Sequence, residues 1–450
     1  MSLLNNKIPF LKDFKNYNST AAIIWREQNY NYSHLLQRTS HWFSNLEGIK
    51  SGDIVGIESD FSPETIAIMF ALIELNTIIV PLDQNHSSKN TLKIEVAQLD
   101  FLIKIKSERE ISIQRIESIE NKNDKFKTIH ERNVPGLILF TSGSSGIPKG
   151  ALHDLSKLLS KFKVKRNSLL TINFLLFDHW GGLNTLFHIL SNGGTVVILE
   201  NRTPDHVCEL IEKFQVELLP TSPTFINMMI LSRAYERYSL KSLKIISYGA
   251  EPMPEKVLFH LNTILPNVKL QQTYGLIELG VMRSQSEGNN SLWVKIGGEG
   301  YETKIVEGIL YIKSDSAMIG YLNAESPFTE DGWFITGDSV EEKEGYIKIL
   351  GRKSEIINVG GEKVYPQEVE NVILEIPNVL DVMVYSEDNA LTGKIVCAKI
   401  KYSGDESKTE VVQLIKKYCR TKLESFKIPI KIVLVENTFE SDRFKKSRHI

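Results

Sequence analysis

The chain has 450 residues, 42% hydrophobic and 24% charged, with 53 Lys and Arg against 55 Asp and Glu. That is globular composition at a length beyond one hydrophobic core, so at least two domains are expected. A net charge of -2 excludes a dedicated nucleic-acid binder, and three scattered cysteines (Cys208, Cys397, Cys419) exclude a disulfide framework or a readable zinc site.

The opening stretch, MSLLNNKIPFLKDFKN, has no apolar run behind a basic start and reads as no signal peptide. Ser62 and Pro63 form an N-cap and first-turn pair, and Ile66, Met69, Phe70 and Ile73 follow at helical spacing. The β-branched run TIIVPL then predicts a buried strand. Glu74 and Asn76 interrupt the longest apolar segment, which is too mixed to span a bilayer. The same helix-then-strand rhythm returns in HVCELIEKFQVELLP and around LKIISYGAEP. Beyond Gly351 the pattern restarts on a smaller scale. Pro366 opens the helix QEVENVILEI, the strands LDVMVY and KIVCAKIKY follow, and TEVVQLIKKYCRTKL is an amphipathic helix. These elements predict an α/β fold: a large layered domain with buried sheets flanked by helices over residues 1–350, and a small α+β domain over 351–450. A short hinge is expected at Gly351–Ser354, and the setting is expected to be cytoplasmic.

The strongest local signal is GLILFTSGSSGIPKGALHD, from Gly136 to Asp154. A strand-like run enters the loop Thr141, Ser142, Gly143, Ser144, Ser145, Gly146, which ends in Lys149, and helix-forming residues follow. Small residues let backbone N–H groups approach an anion, hydroxyls add donors, and a lysine supplies a mobile point charge. The loop is built to hold phosphates, but it is no Walker A motif, because Pro148 precedes Lys149 and Gly150 follows it.

With this loop, four further stretches resemble the adenylate-forming superfamily of acyl-CoA synthetases, peptide-synthetase adenylation domains and beetle luciferase. YGLIE (Tyr274–Glu278) is similar to the family's Tyr-Gly-x-Thr/Ser-Glu, and DGWFITGD (Asp331–Asp338) to its Gly-Trp-Phe-x-Thr-Gly-Asp. GRKSEIINVGGEKVYPQEVE resembles the hinge and the start of the small domain, and SDRFKKSRHI the terminal Gly-Lys-x-x-Arg. The resemblance covers nearly the whole chain and implies a mobile small domain, with ATP, Mg²⁺ and a thiol as reactants or cofactors. Tyr274 and Gly275 would face the purine, Gly249, Ala250 and Glu251 would line the adenine and acid pocket, and Asp338 and Arg352 would bind ribose or phosphate. Glu278 would hold Mg²⁺, and His179 of FDHWGGL would border the acid tunnel. Lys445 would be the catalytic lysine, with Lys446 the runner-up because Phe444 stands in the glycine's place. Gly360 and Gly361 would line the thiol channel. Taken singly, each of these residues also has a structural reading, as a core tyrosine, a surface carboxylate, an interdomain ion pair or a basic terminus.

Ile277 departs from the family's Thr or Ser, and Thr273 is the nearest hydroxyl that could replace the lost contact. Ser354 stands where Asp or Lys is usual, and Ile309 where Glu is. Asp178 admits a second alignment, to the Asp of amino-acid-activating domains, but the spacing to Gly182 favours the acyl type. The resemblance implies a stand-alone AMP-forming acid:CoA ligase, a monomer or homodimer, acting on a small, aryl or medium acyl carboxylate. The alternatives are an enzyme loading the phosphopantetheine of a separate carrier protein, and a nucleotide-binding homologue impaired in catalysis.

Overall fold

The computed structural model describes residues 4–117, 121–141 and 147–436, without the side chains of 86–89. The chain divides into two compact units, 1–220 with 275–281 and 314–327, and 221–274 with 282–313 and 328–450.

The first unit is built on buried parallel strands. Ile54–Glu58 lies between Ile78–Leu82 and Phe101–Ser107, parallel to both, and Ile78–Leu82 runs parallel to Gly136–Thr141. Antiparallel strands close the edges: Glu110–Arg115 on one side, Lys149–Asp154 and then Gly320–Tyr321 on the other. A second set of strands runs parallel in the order Leu218–Thr221, Leu170–Asn173, Thr195–Ile198, Ala21–Trp25, with Gln28–Asn31 antiparallel at its end. The helix Pro63–Glu74 starts as expected, its Ser62 hydroxyl accepting from the Thr65 N–H at 3.1 Å. All twelve of its residues are buried, in one core with Val55, Ile57 and Leu139 from the first sheet and Ala22, Ile23 and Val196 from the second. Such a helix must neutralise its charges internally. Arg38 grips Glu64 with two hydrogen bonds (2.7 and 2.9 Å), and Glu74 accepts the Ile8 N–H at 2.8 Å.

The second unit contains Ile245–Tyr248 parallel to Lys269–Gln272, and a sheet ordered Arg283–Ser286, Val294–Gly297, Tyr346–Arg352, Phe334–Lys343, Ile309–Ser314, Tyr301–Val306. Its last part is a small α+β body. Val379–Asn389 and Gly393–Tyr402 form a long antiparallel ribbon, joined by Ile357–Val359, Glu362–Val364 and Lys431–Val435. The helices Pro366–Leu374 and Lys408–Lys422 bury Val369, Ile373, Val411 and Ile415 against Val382, Val384, Ala398 and Ile400 of the ribbon. Ser407 and Glu410 form a reciprocal capping box at the start of the second helix, satisfying two N–H groups left open by the first turn. The three cysteines are buried and outside any disulfide, and no helix among the described residues is long and apolar enough to cross a membrane.

Candidate active site

Lys149 begins a strand, not a helix. Lys149–Asp154 folds back antiparallel on Gly136–Thr141, with Lys149 opposite Thr141, and a helix starts only at Leu155, capped by the Asp154 carboxylate. The expected helix gives way because Gly150 to Asp154 are all buried within the sheet, where ladder pairing and core contacts outweigh local helix propensity. No helix N-terminus therefore stands directly behind the lysine. Ser142, Gly143, Ser144, Ser145 and Gly146 lie outside the described residues, as do Phe444, Lys445, Lys446 and Arg448.

One segment remote in sequence meets Lys149 and links it to another. Its ammonium lies 5.6 Å from the centre of the Tyr321 ring, and the Tyr321 hydroxyl donates to Oε1 of Glu278. Asn323 receives the Gly150 N–H at 3.0 Å and donates to the Pro148 carbonyl at 2.9 Å, so Gly320–Asn323 clasps the lysine's strand end. Sequence reasoning misses both Tyr321 and Asn323. They carry no spacing signal, since the strand pairing that brings them in spans some 170 residues of chain.

Glu278, 8% exposed, sits at the turn of a small hairpin, Gly275–Leu276 against Gly280–Val281. A side chain at Gly275 would place its Cβ 3.0 Å from the Gly280 carbonyl and Val281 Cα, so glycine permits the close crossing. The Met318 N–H donates to the Glu278 carbonyl at 2.8 Å, which fixes the turn from the 314–327 segment. Among the described residues no three His, Cys, Asp or Glu gather into a ligand set. A single carboxylate, linked through Tyr321 to a lysine, fits Mg²⁺, which keeps one or two carboxylates and takes its other ligands from water and substrate phosphate.

Ile277 packs its half-buried side chain against the core of the first unit, which supplies a packing reason for the missing hydroxyl. The Ile277→Thr enzyme is expected to lose about 1 kcal/mol of stability. It is also expected to gain up to about tenfold in pyrophosphate exchange if the restored hydroxyl meets phosphate. Urea unfolding and exchange kinetics on the same preparation measure the two effects.

In the second unit, Tyr274, Asp338 and Arg352 come together. Asp338 in Phe334–Lys343 pairs across the sheet with Arg352 in Tyr346–Arg352, and the guanidinium Nε stands 3.4 Å from Oδ1. The Tyr274 hydroxyl donates to Oδ2. Tyr274 and Asp338 are each 6% exposed. Burial pushes the Tyr274 phenol well above its ordinary value, and the carboxylate beside it adds to the rise. Burial also raises the Asp338 carboxyl, against the opposing pull of Arg352 and of the Tyr274 hydrogen bond. The Tyr274 hydroxyl thus orients the Asp338 carboxylate. The Asp338 N–H in turn bonds the Thr336 hydroxyl at 3.0 Å, which holds the turn after Gly337.

The YGAEP stretch leaves the end of Ile245–Tyr248. A Cβ on Gly249 would lie 2.5 Å from the Thr273 carbonyl and hydroxyl oxygens, so only glycine fits. Thr273, the candidate substitute for the hydroxyl missing at 277, donates to the Tyr248 carbonyl at 3.1 Å and has committed its proton. Ala250 holds φ +69°, a left-handed conformation costly for a residue with a Cβ. Glu251 binds Thr224 through both oxygens, to its N–H at 3.1 Å and its hydroxyl at 3.0 Å, capping the helix Pro223–Ser232. His179 is likewise a cap: its Nδ1 accepts from the Gly181 N–H at 3.2 Å at the start of Trp180–Ser191. The Gly181-Gly182 pair lets that helix begin directly on Leu175 and Leu176, since a Cβ at Gly182 would lie 2.3 Å from the Leu176 carbonyl.

The sequence profile described as AMP-binding enzyme matches residues 10–322. The chain belongs to the AMP-binding enzyme family. A second profile, AMP-binding enzyme C-terminal domain, matches residues 368–446. This AMP-binding enzyme is 26% identical to a 2-succinylbenzoate–CoA ligase of Bacillus cytotoxicus, over 85% of this chain and 84% of that protein. It is 25% identical to an indoleacetate–CoA ligase of Aromatoleum aromaticum, over 92% and 91%. Its fold is that of ATP-bound MatB from Rhodopseudomonas palustris, with a TM-score of 0.82 over 98% of this chain and 96% of that one at 20% identity.

Proposed function

We propose that this AMP-binding enzyme is an AMP-forming carboxylic acid:CoA ligase in which Lys149, Tyr321 and Glu278 serve phosphate binding and Tyr274, Asp338 and Arg352 serve ribose binding. The carboxylate of the acid attacks the α-phosphorus of ATP, the bond to pyrophosphate breaks, and acyl-AMP forms. A thiolate then adds to the acyl carbon, and the bond from that carbon to the phosphate oxygen breaks, its electron pair leaving with AMP. The observation that carries the reading is the convergence of a cation, a hydroxyl and a carboxylate from three distant segments in a chain of this family.

The physical obstacle in the first step is the meeting of two anions. Lys149 and the Thr141 hydroxyl neutralise and orient phosphate oxygens, and positioning supplies the rest. Glu278, fixed through one oxygen by Tyr321, is the residue to hold Mg²⁺, which when bound adds positive charge at the phosphates. Asp338 accepts hydrogen bonds from the ribose hydroxyls, with Arg352 alongside. Residues 351–450 act as the mobile small domain, and Gly360 and Gly361, both at positive φ, line the path of the thiol. Both curated relatives are named for aryl acids, so aromatic carboxylates head the substrate candidates, with free CoA as acceptor and the cytoplasm as setting.

A panel of carboxylic acids in a pyrophosphate-release assay, with and without CoA, tests this. Acid-dependent release should yield acyl-AMP alone and AMP plus thioester when CoA is added. Acyl-AMP without thioester from free CoA would favour loading of a carrier protein. ATP affinity without carboxylate-dependent exchange would favour the impaired homologue.

A further inference from the structure

The hairpin that carries Glu278 is held at its turn by the 314–327 segment: the Met318 N–H on the Glu278 carbonyl, the Ser316 hydroxyl on the Leu279 carbonyl at 3.1 Å, and Tyr321 on the carboxylate. Its outgoing strand has a different tether. Lys161, in the short turn Lys161–Lys163, donates to the Val281 carbonyl at 3.1 Å. The same ammonium lies 5.1 Å from the Phe162 ring centre and 5.9 Å from that of Trp180, the first residue of the helix beside the hairpin. Among the described residues no carboxylate forms an ion pair with it. A lysine held by a carbonyl and two aromatic faces, with no counter-ion, is an uncommon use of a half-buried cation.

We propose that Lys161 is a positioning residue for adenylation: by tying Val281 to Trp180 and Phe162 it fixes the far strand of the hairpin and so the direction in which Glu278 presents its carboxylate. The inference rests on the reading of Glu278 given above. Charge matters in this tether, because a charged donor makes a stronger bond to a carbonyl, and to an aromatic face, than a neutral amine does. Burial, with a smaller push from nearby Arg166, brings the Lys161 amine down to about 7. His188, on the helix Trp180–Ser191, is pushed to about 4 by burial and remains neutral. The charged form that makes the stronger tether is therefore present below about pH 7 and is lost as pH rises through it.

The test uses the full chain with Lys161→Met, which keeps an apolar stem, and Lys161→Arg, which keeps a charge that does not titrate. Hydrogen exchange over residues 275–281 is read alongside pyrophosphate exchange from pH 6 to 9. Lys161→Met is expected to lose about tenfold in pyrophosphate exchange, and to lose amide protection in 275–281 while the strand Ile54–Glu58 stays protected. Lys161→Arg should restore both and remove the decline above pH 7 that is expected of wild type. Unchanged protection of 275–281 in Lys161→Met, or a wild-type profile identical to that of Lys161→Arg, overturns the proposal. If Lys161→Met fails to fold, the comparison of Lys161→Arg with wild type across pH still decides. Glu278→Gln separates the two readings. If that enzyme exchanges pyrophosphate with an unaltered Mg²⁺ requirement, the role of Glu278 falls, whereas the tether of the hairpin is still read from the amide protection of 275–281.

Discussion

Lys445→Ala is expected to suppress acyl-AMP formation by roughly 10²–10³-fold, the scale of removing one preorganised charge from a transition state. Thioester formation from preformed acyl-AMP should remain largely intact. The asymmetry follows from where charge develops. In the first half-reaction a carboxylate approaches a polyphosphate and negative charge moves onto the leaving pyrophosphate, so each nearby cation lowers the barrier. Among the described residues Lys149 is a cation gathered with Tyr321 and Glu278, and it is the one proposed above to meet phosphate oxygens. A second cation at the attacking carboxylate has to come from elsewhere, and SDRFKKSRHI offers Lys445 and Lys446 in consecutive positions. In the second half-reaction the leaving group is an AMP phosphate and the nucleophile a thiolate, and the same cation is dispensable. Pyrophosphate exchange measures the first step, and a single-turnover reaction of isolated acyl-AMP with CoA measures the second. Equal loss in both, or loss confined to Lys446→Ala, rejects the assignment.

Part of the fold is legible in local chemistry alone. The Ser62 cap, the Pro63 start and the apolar face of Pro63–Glu74 are set within one or two turns of chain, and so is the Ser407–Glu410 box. The residues after Lys149 show where local reading stops. ALHDLSKLL has helical character, but Gly150 to Asp154 are drawn into the sheet by pairing with Gly136–Thr141, and the helix waits for the Asp154 cap. Side-chain partners are less legible still. Glu251 lies in a stretch that resembles a pocket wall, yet its carboxylate caps a helix that starts 28 residues earlier. Tyr274 and Asp338 are each identifiable, but their hydrogen bond joins positions 64 apart and no periodicity in the sequence encodes it. Tyr321 has no motif at all. Motifs mark where chemistry can occur, and tertiary pairing determines which atoms hold it in place.

Asp338→Asn is the variant that separates function from folding most sharply. Two hydrogen bonds from ribose to a buried carboxylate are each worth about 1.5–3 kcal/mol, and an amide keeps only one accepting oxygen, so ATP affinity should fall by roughly 10²-fold. Stability should move the other way. Burial raises the Asp338 carboxyl above its ordinary 3.8, so the folded state holds that proton more tightly than the unfolded state does. The advantage is complete below pH 3.8 and is lost as pH rises to the folded-state value, leaving a buried charge at neutrality. The Arg352 side chain is 57% exposed, so its screened ion pair offsets little of that cost. Asparagine removes the charge and still offers the Tyr274 hydroxyl an acceptor. The variant should therefore match or exceed wild type in urea unfolding at pH 7, and lose less stability than wild type between pH 4 and pH 7. Nucleotide titration calorimetry supplies the other half of the measurement. Weakened ATP binding with undiminished stability marks a carboxylate kept buried for the ligand at the expense of the fold, whereas a destabilised protein that still binds ATP would make Asp338 a core residue and move the ribose contact elsewhere.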